Sequence, residues 1–379
     1  MKILQVIPYF AFVRGGDVNV CYNISREFTR KGHEVTILTT SFDYNKEDTD
    51  LIENLEMVPV DYKFNLALFI YSPEIKKWLK EHVEEYDIIH LHELRSYQNN
   101  VVVKFAKKHN IPYILQPHAS TPKHINKSFI KNVYDFAYGN NIMQNATTTI
   151  AVSEEEAYYD KLMHARDVQV IYNGMNISDY ENLPAKGNYL DKNVHSPYIL
   201  YLGRLDKLKG IDILIQAFSK LPKEFDQYKL VIAGKKTSYQ EELEEIIKKE
   251  NIEDKVLFTG FVEEEDKISM YHDASLFVNP VKYMGGVSIT VFESLLSGTP
   301  IIVTPESGEL VKKIDAGSLV EYGDINSLKE EIVKSLTDKE MTQKQVTRGQ
   351  NYIKENLNWD KVSDKILKIY ENAIGRNEK

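Results

Sequence analysis

The sequence predicts an α/β protein built from two doubly wound parallel-sheet domains. The prediction rests on short apolar runs alternating with longer amphipathic ones from residue 2 to about 174, a polar aperiodic stretch at 176–197, and a second alternation of the same kind from 198 to 304. Strands that alternate with helices imply crossover connections, hence a parallel sheet covered on both faces. Such sheets bind ligands outside the carboxyl ends of their strands, so two in succession point to a central cleft and to function in the strand-to-helix loops.

In the first half the pattern reads as strand 2–7, helix 18–31 closed by Gly32, strand 34–39, helix 73–85, strand 87–91, helix 97–109 and strand 112–116. "AVSEEEAYYDKL" and "VQVIYNG" add a further strand, helix and strand. The opening "MKILQVIPYFAFVRGGD" mimics a signal peptide, but Pro8 and the run Arg14-Gly15-Gly16-Asp17 fit a first strand and its loop better, and no small-residue cleavage site follows. It is read as mature protein, which leaves sequons such as Asn145-Ala146-Thr147 without weight.

The stretch "NISDYENLPAKGNYLDKNVHSP" has Gly, Pro and no apolar period, and reads as a linker. Beyond it come strand 198–203, helix 211–221, strand 228–233, helix 238–250, strand 255–259, helix 264–271, strand 275–279, helix 288–297 and strand 300–304. Three helical stretches follow, near 325–337, 340–356 and 359–374, the last opened by Trp359. The expected division is an N-terminal Rossmann-like domain over 1–185, a C-terminal one over 186–355, and a final helical segment, 356–379, crossing back to the first domain.

Composition narrows the function classes. Of 379 residues, 42% are hydrophobic and 27% charged, which suits a globular protein of two or three domains. A net charge of -9 argues against a general nucleic-acid binder, since that work needs a basic face to neutralise phosphates. A single cysteine, Cys21, excludes an internal disulfide and points to a reducing, cytoplasmic compartment; it is expected in the core. No apolar run approaches the ~20 residues that span a bilayer.

Three loops carry chemistry. After the first strand, Gly15-Gly16 lets backbone amides approach a ligand and opens a helix whose N-terminus favours anions, although the full dinucleotide fingerprint is absent. In "LGRLDKLKGIDILIQAF", Arg204 follows a strand, Lys209 lies five residues on, and Gly210 precedes a helix. A guanidinium fork and a point-charge ammonium flanking one loop suit a diphosphate. In "MGGVSITVFESLLSGTP", Gly285-Gly286 makes a turn, a helix begins near Ser288-Ile289-Thr290, and Glu293 is the sole carboxylate, about 5 to 7 Å along the axis from that helix start. A diphosphate held by the helix amides would bring a ribose beside Glu293, whose alternative is an ordinary wet helix face.

With these loops in view the chain resembles a GT-B glycosyltransferase of the large retaining family 4, also described as glycosyl transferases group 1. The likeness runs over nearly the whole chain through "RGGDVNV", "FTRKGHEVTILTT", "DIIHLHELRS", "IPYILQPHAS", "TTIAVSEEE", "VIYNGMN", "YLGRLDKLKGIDILIQAF", "LVIAG", "FTGFV" and "FESLLSGTPIIVT". The resemblance implies the GT-B fold, two Rossmann-like domains facing a cleft. It implies that Arg204 and Lys209 hold the donor diphosphate, that Glu293 binds the ribose, and that Gly15 and Gly16 approach the phosphates or donor sugar. Val262 would meet the base through its backbone, Ser288, Ile289 and Thr290 would line the donor phosphates, and His118 would lie near the transferred sugar. His118, Arg204 and Lys209 are thus the catalytic candidates. The family's Glu-x7-Glu motif is incomplete, because eight positions before Glu293 stands Gly285.

Other patterns carry less. "HLHE" at 90–93 has His-x-His spacing but no third ligand, so no metal is expected, nor any cofactor. "EDTDL" at 47–51 imitates an acidic metal signature and reads as an exposed loop. Residues 100–140 hold six lysines and one acid, Asp135, with Phe129, Tyr134, Phe136 and Tyr138 interleaved. That composition fits peripheral contact with the inner face of a membrane or a lipid-diphosphate acceptor, and equally helices with solvated lysines and buried aromatics.

The expected function is transfer of a hexosyl group from a nucleotide diphosphate sugar to a hydroxyl of a glycan or lipid-linked saccharide, with retention of anomeric configuration and without metal. The alternatives are a catalytically silent nucleotide-binding subunit of the same fold and a nucleotide-sugar epimerase.

Overall fold

The structure, a computed structural model, describes the chain apart from residues 13–14, 46–54, 67, 122–127, 188, 190–191, 193, 283–287 and 378–379. The acidic stretch 47–50, Lys123, Lys127, Gly285 and Gly286 lie outside the described residues. The chain forms two compact units, Met1–Gly174 with Trp359–Lys379, and Met175–Asn358.

The first unit runs β1 (Lys2–Val6), α1 (Gly16–Arg30), β2 (Glu34–Thr40), β3 (Leu55–Val60), β4 (Phe64–Leu66), β5 (Phe69–Tyr71), α2 (Glu74–His82), β6 (Ile88–His92) and α3 (Tyr97–Lys108). It continues with β7 (Tyr113–Gln116), α4 (Ser128–Tyr134), a π-turn at Asp135–Gly139, α5 (Asn140–Asn145), β8 (Thr148–Ala151), α6 (Glu154–Leu162) and β9 (Val168–Val170). Seven strands pair in the order β3-β2-β1-β6-β7-β8-β9, all parallel, and β4 and β5 form a separate antiparallel hairpin. β1 (KILQV) is buried at four of its five positions, as a central parallel strand covered on both faces must be. The final helix, Trp359–Asn377, covers one face: its Trp359, Val362, Ile366 and Tyr370 pack with Ile3, Ile24, Phe28 and Ile88. Gly174 makes that approach possible, because a Cβ there would sit 2.4 Å from the Trp359 ring. Cys21 lies in the core, where burial pushes its thiol well above the usual range.

The second unit repeats the grammar. β10 (Tyr198–Leu202), α7 (Ile211–Ser219), β11 (Lys229–Ala233), α8 (Tyr239–Glu250), β12 (Val256–Gly260), α9 (Glu264–Asp273), β13 (Leu276–Asn279), α10 (Ile289–Leu296), β14 (Ile301–Val303), α11 (Pro305–Ile314) and β15 (Ser318–Leu319) precede α12 (Ile325–Thr337) and α13 (Lys339–Asn356). The final helix is therefore α14. Six parallel strands are ordered β12-β11-β10-β13-β14-β15, so the strand order reverses between β10 and β13. In the first unit the reversal falls between β1 and β6. At such points consecutive crossovers leave to opposite faces and their loops diverge, opening a crevice at the strand ends.

Candidate functional site

In the second unit, three loops meet at the carboxyl ends of β10, β11 and β13. Asp206 accepts from the Leu208 amide at 2.9 Å and caps a short 3-10 turn over Lys207–Lys209. Gly210 then adopts φ 64, and a Cβ there would lie 2.0 Å from the Pro280 carbonyl oxygen, so only glycine serves both the left-handed turn and the close approach. Lys282 donates its amide to Leu208 O at 2.8 Å, and Thr237 donates to Leu205 O at 2.8 Å. The cationic loop is thereby tied to both of its neighbours.

Arg204 is exposed and Lys209 half-buried, and neither forms an ion pair among the described residues. Burial, and then the neighbouring positive charge of Arg204, lower the Lys209 pKa against a smaller opposing effect of Asp206. Holding two cations together against only the smaller opposing effect of Asp206 is unfavourable in isolation and becomes favourable when an anion enters. α10, after β13, has Ser288 as its N-cap; the Ser288 and Thr290 hydroxyls bond each other at 2.6 Å, and the Ser288 side chain caps no backbone amide. Ile289 is exposed, and in the first turn the Val291 amide donates to Ser288 O at 3.0 Å.

Glu293 does not lie on a wet face. It is 6% exposed, and its two oxygens accept from Lys267 Nζ at 2.6 Å and Tyr271 OH at 3.0 Å. Both partners stand one turn apart on α9, which follows β12 and the half-buried Val262. A charged donor and a phenol thus explain how a carboxylate survives in this apolar helix, while each oxygen retains a lone pair for a further donor.

In the first unit, the loops after β1, β6 and β7 come together at the strand ends. Gly15, extended at φ 172, is the N-cap of α1, and a Cβ there would stand 2.5 Å from Asp17 Oδ1. Gly16 is exposed, whereas Asp17 is buried with Oδ2 lacking a hydrogen-bond partner among the described residues. His118 and Ala119 follow β7 with φ 56 and 62, left-handed values that cost non-glycine residues on the order of 1 to 2 kcal/mol each.

Hydrogen bonds hold His118 in that pose. Its Nε2 lies 2.7 Å from His92 Nδ1, His92 Nε2 lies 2.7 Å from Gln5 Oε1, Gln5 Nε2 donates to Tyr370 OH at 3.4 Å, and Tyr370 OH lies 2.6 Å from His90 Nδ1. With Gln5 Oε1 as acceptor, His92 carries its proton on Nε2, its Nδ1 accepts from His118 Nε2, and neutral His118 keeps a bare Nδ1. Burial holds all three imidazoles down, His118 to about 4, His90 to about 3 and His92 well below its usual value. "HLHE" therefore supplies two neutral members of a hydrogen-bonded relay, and no group of three or more His, Cys, Asp or Glu among the described residues is arranged to hold a metal. Glu93, at φ 65, has its carboxyl raised to about 8, first by burial and then by Asp17.

Sequence reasoning did not find Lys267, Tyr271, Gln5, His92, Glu93 or Tyr370 as site residues. The aromatic stretch also departs from one of its two readings: Phe129 is 77%, Phe136 88% and Tyr138 47% exposed, so three of those four aromatics are not core, while Tyr134 OH bonds Ser96 O at 2.8 Å. Among the described residues no helix is long and apolar enough to cross a membrane.

Residues 14–179 match the family Glycosyltransferase Family 4, and residues 188–352 match Glycosyl transferases group 1. The chain is similar to a phosphatidyl-myo-inositol mannosyltransferase of Mycolicibacterium smegmatis, 24% identical over 384 residues that cover 99% of this chain and 95% of that protein. Among solved structures, HepE of Anabaena in complex with UDP superposes with a TM-score of 0.80 at 20% identity, covering 98% of this chain and 100% of that one. Sucrose-phosphate synthase from Thermosynechococcus elongatus superposes with a TM-score of 0.76 at 19% identity, covering 99% and 100%.

Proposed function

The chain belongs to the group 1 glycosyltransferases of the GT-B fold, and from that premise we propose that it moves a hexosyl group from a nucleotide diphosphate sugar to a hydroxyl of a glycan or lipid-linked saccharide, with retention of configuration. One observation carries the donor assignment: Arg204 and Lys209 lie on one loop, act on one another electrostatically and form no ion pair among the described residues. The UDP bound to the similarly folded HepE supports the same reading.

In this reading the second unit holds the donor. Arg204 and Lys209 bind the diphosphate, Ser288, Ile289 and Thr290 present hydroxyl and amide donors to it, Glu293 accepts from the ribose, and the Val262 backbone meets the base. As the glycosidic bond to phosphate breaks, negative charge grows on the diphosphate, and these preorganised donors stabilise it more than they stabilise the bound ground state. The two cations bring the charge that a metal would otherwise supply, so transfer proceeds without one. In the first unit Gly15, Gly16 and His118 form the sugar and acceptor side, with bare Nδ1 of His118 accepting from a sugar or attacking hydroxyl.

Exposed Phe129, Ile130, Val133 and Phe136, accompanied by Lys131 on the same segment, support peripheral contact with the inner face of a membrane by a cytoplasmic protein. Gly285, where the resemblance expects a second carboxylate, favours one rival reading, a silent nucleotide-binding subunit. A screen of nucleotide sugars against the purified protein, with product analysis in the presence and absence of saccharide acceptors, decides between them. Transfer with retained configuration is the expected result; nucleotide binding without turnover would select the silent subunit, and donor conversion without acceptor would select an epimerase.

A further inference from the structure

Beneath the loop that carries His118 lie two carboxyl groups with no basic partner among the described residues. Glu156 and Asp160 stand four residues apart on α6, hence on one face, and both side chains are fully buried. Each uses one oxygen to hold the chain around it. Glu156 Oε2 accepts from the Val152 amide at 2.9 Å, and the Ala119 amide favours the Glu156 charge; Asp160 Oδ1 accepts from Thr121 Oγ1 at 2.7 Å. The other oxygens, Glu156 Oε1 and Asp160 Oδ2, lack a donor among the described residues, and the two groups act on one another electrostatically. β8 and β9, the strands against which α6 packs, contain no ionisable side chain. Among the described residues the remaining charged group acting on the pair is Glu93, itself beside Asp17, Arg95 and Lys131.

Two buried carboxylates side by side are strongly unfavourable, and the two orphaned oxygens offer the remedy: one proton placed between them makes each the partner of the other. We propose that Glu156 and Asp160 share a proton as an acid–carboxylate pair, and that this pair is a positioning device which holds residues 119–121, and through them His118, in the left-handed conformation. The far side of the loop is held independently. Arg95 donates to the Ser120 carbonyl and to the Thr121 carbonyl at 3.3 Å, and is itself fixed by a bidentate contact with Asp135 at 2.9 and 2.8 Å. The loop is thus clamped between a guanidinium and a shared proton, and only the second titrates near neutrality. Burial and mutual repulsion raise Glu156 well above its usual value, and burial raises Asp160 to about 7.

The sign follows from linkage. A carboxyl whose folded value is raised binds its proton more tightly folded than unfolded, so the Asp160 contribution to stability falls as pH rises from about 4 to about 7 and is constant above, while that of Glu156, which keeps the shared proton, continues to fall above it. The test uses Asp160→Asn in the full chain, because the asparagine can accept from Thr121 through its oxygen and donate to Glu156 through its nitrogen at every pH. Melting of parent and variant is followed from pH 5 to 9, with transfer rate and nucleotide affinity measured alongside. The parent is expected to lose thermal stability as pH rises from 5 to 9, and transfer rate only where the shared proton itself leaves on the alkaline side, with its nucleotide affinity unchanged, while the variant matches its stability at pH 5 and exceeds it at pH 8. Glu156→Gln, which inverts the roles, is expected to do the same.

Parallel melting curves for parent and both variants would overturn the shared proton, as would an alkaline decline abolished only by Glu93→Gln. The link to His118 rests on the functional reading above, but melting does not. Curves that cross as expected with no transfer detected would keep the shared proton and reject the catalytic placement. Curves that cross while the rate profile stays unchanged would overturn the positioning role.

Discussion

Lys267 Nζ lies 2.6 Å from Glu293 Oε1, an ion pair between α9 and α10 whose side chains are 14% and 8% exposed. Removing Lys267 leaves the buried Glu293 charge to the neutral Tyr271 hydroxyl, and breaking a buried pair costs up to about 3 to 5 kcal/mol, whereas replacing both members by apolar groups of similar volume is often near neutral. Lys267→Met is therefore expected to lower stability by an amount of that order, and Lys267→Met with Glu293→Leu to recover most of it. Urea unfolding of the parent, both single variants and the double variant checks this. Additive losses would show that the pair is not coupled.

Arg204 and Lys209 concern binding instead. If both contact the donor diphosphate, Arg204→Ala and Lys209→Ala should each weaken nucleoside diphosphate binding by about 1.5 to 3 kcal/mol, the usual range for a charge-assisted contact. The nucleoside without phosphates should bind parent and variants alike. Neither residue has an ion-pair partner to strand among the described residues, so stability should hardly change. Calorimetry with both ligands separates the two effects.

Much of this arrangement was legible in the sequence, for identifiable reasons. The α/β rhythm survives because central strands such as β10 (YILYL) are apolar on both faces, and α12 is found at 325–337 as its spacing predicts. The strands that went unread are weak or edge-like: β3 (LEMVPV) carries Pro59 at the sheet margin, β4 and β5 have three residues each, and β15 has two, while helices α4, α5 and α11 also went unread. Arg204, Lys209 and Glu293 stand out because charge is unusual where they sit. Their partners do not. Lys267 lies in an acidic helix 26 residues upstream of Glu293, and Tyr370 is 365 residues from Gln5, so only tertiary structure joins them. Glu156 and Asp160 went unrecognised, because the burial of carboxylates in "SEEEAYYD" cannot be told from spacing alone.

Tyr370 ties α14 to the polar network at the strand ends. Its hydroxyl serves His90 Nδ1 at 2.6 Å and Gln5 Nε2 at 3.4 Å, both fully buried. Tyr370→Phe keeps the ring against Phe28 but orphans two polar atoms, and each unsatisfied group costs about 1 to 3 kcal/mol. The variant should unfold at lower urea with an unchanged denaturant slope. Equal midpoints would mean that Gln5 and His90 find other partners.

Relaxation of Gln5 would also matter for His118, because the relay fixes which nitrogen of that imidazole carries the proton. His118 is held to about 4 by burial, against a smaller opposing effect of Asp17, so it should remain neutral throughout the pH range in which transfer is measured. Side-chain nuclear magnetic resonance of the imidazole should show a midpoint near 4 and, at neutral pH, the proton on Nε2 with Nδ1 bare. The linkage sign is opposite to that of the carboxyl pair. The unfolded histidine takes up a proton near 6.5 and the folded one does not until about 4, so its contribution to stability falls as pH drops through that window, at most about 1.4 kcal/mol per pH unit. His118→Gln lacks this uptake, and its amide can still donate to His92, so between pH 6.5 and 4 it should lose less stability than the parent. The difference between the two proteins is the quantity to measure, since the buried carboxyls titrate in the opposite sense in both. An imidazole that titrates near 6.5, or an acid slope identical in parent and variant, would mean that His118 is solvated and charged in weak acid, and the neutral acceptor assigned to Nδ1 would have to be withdrawn.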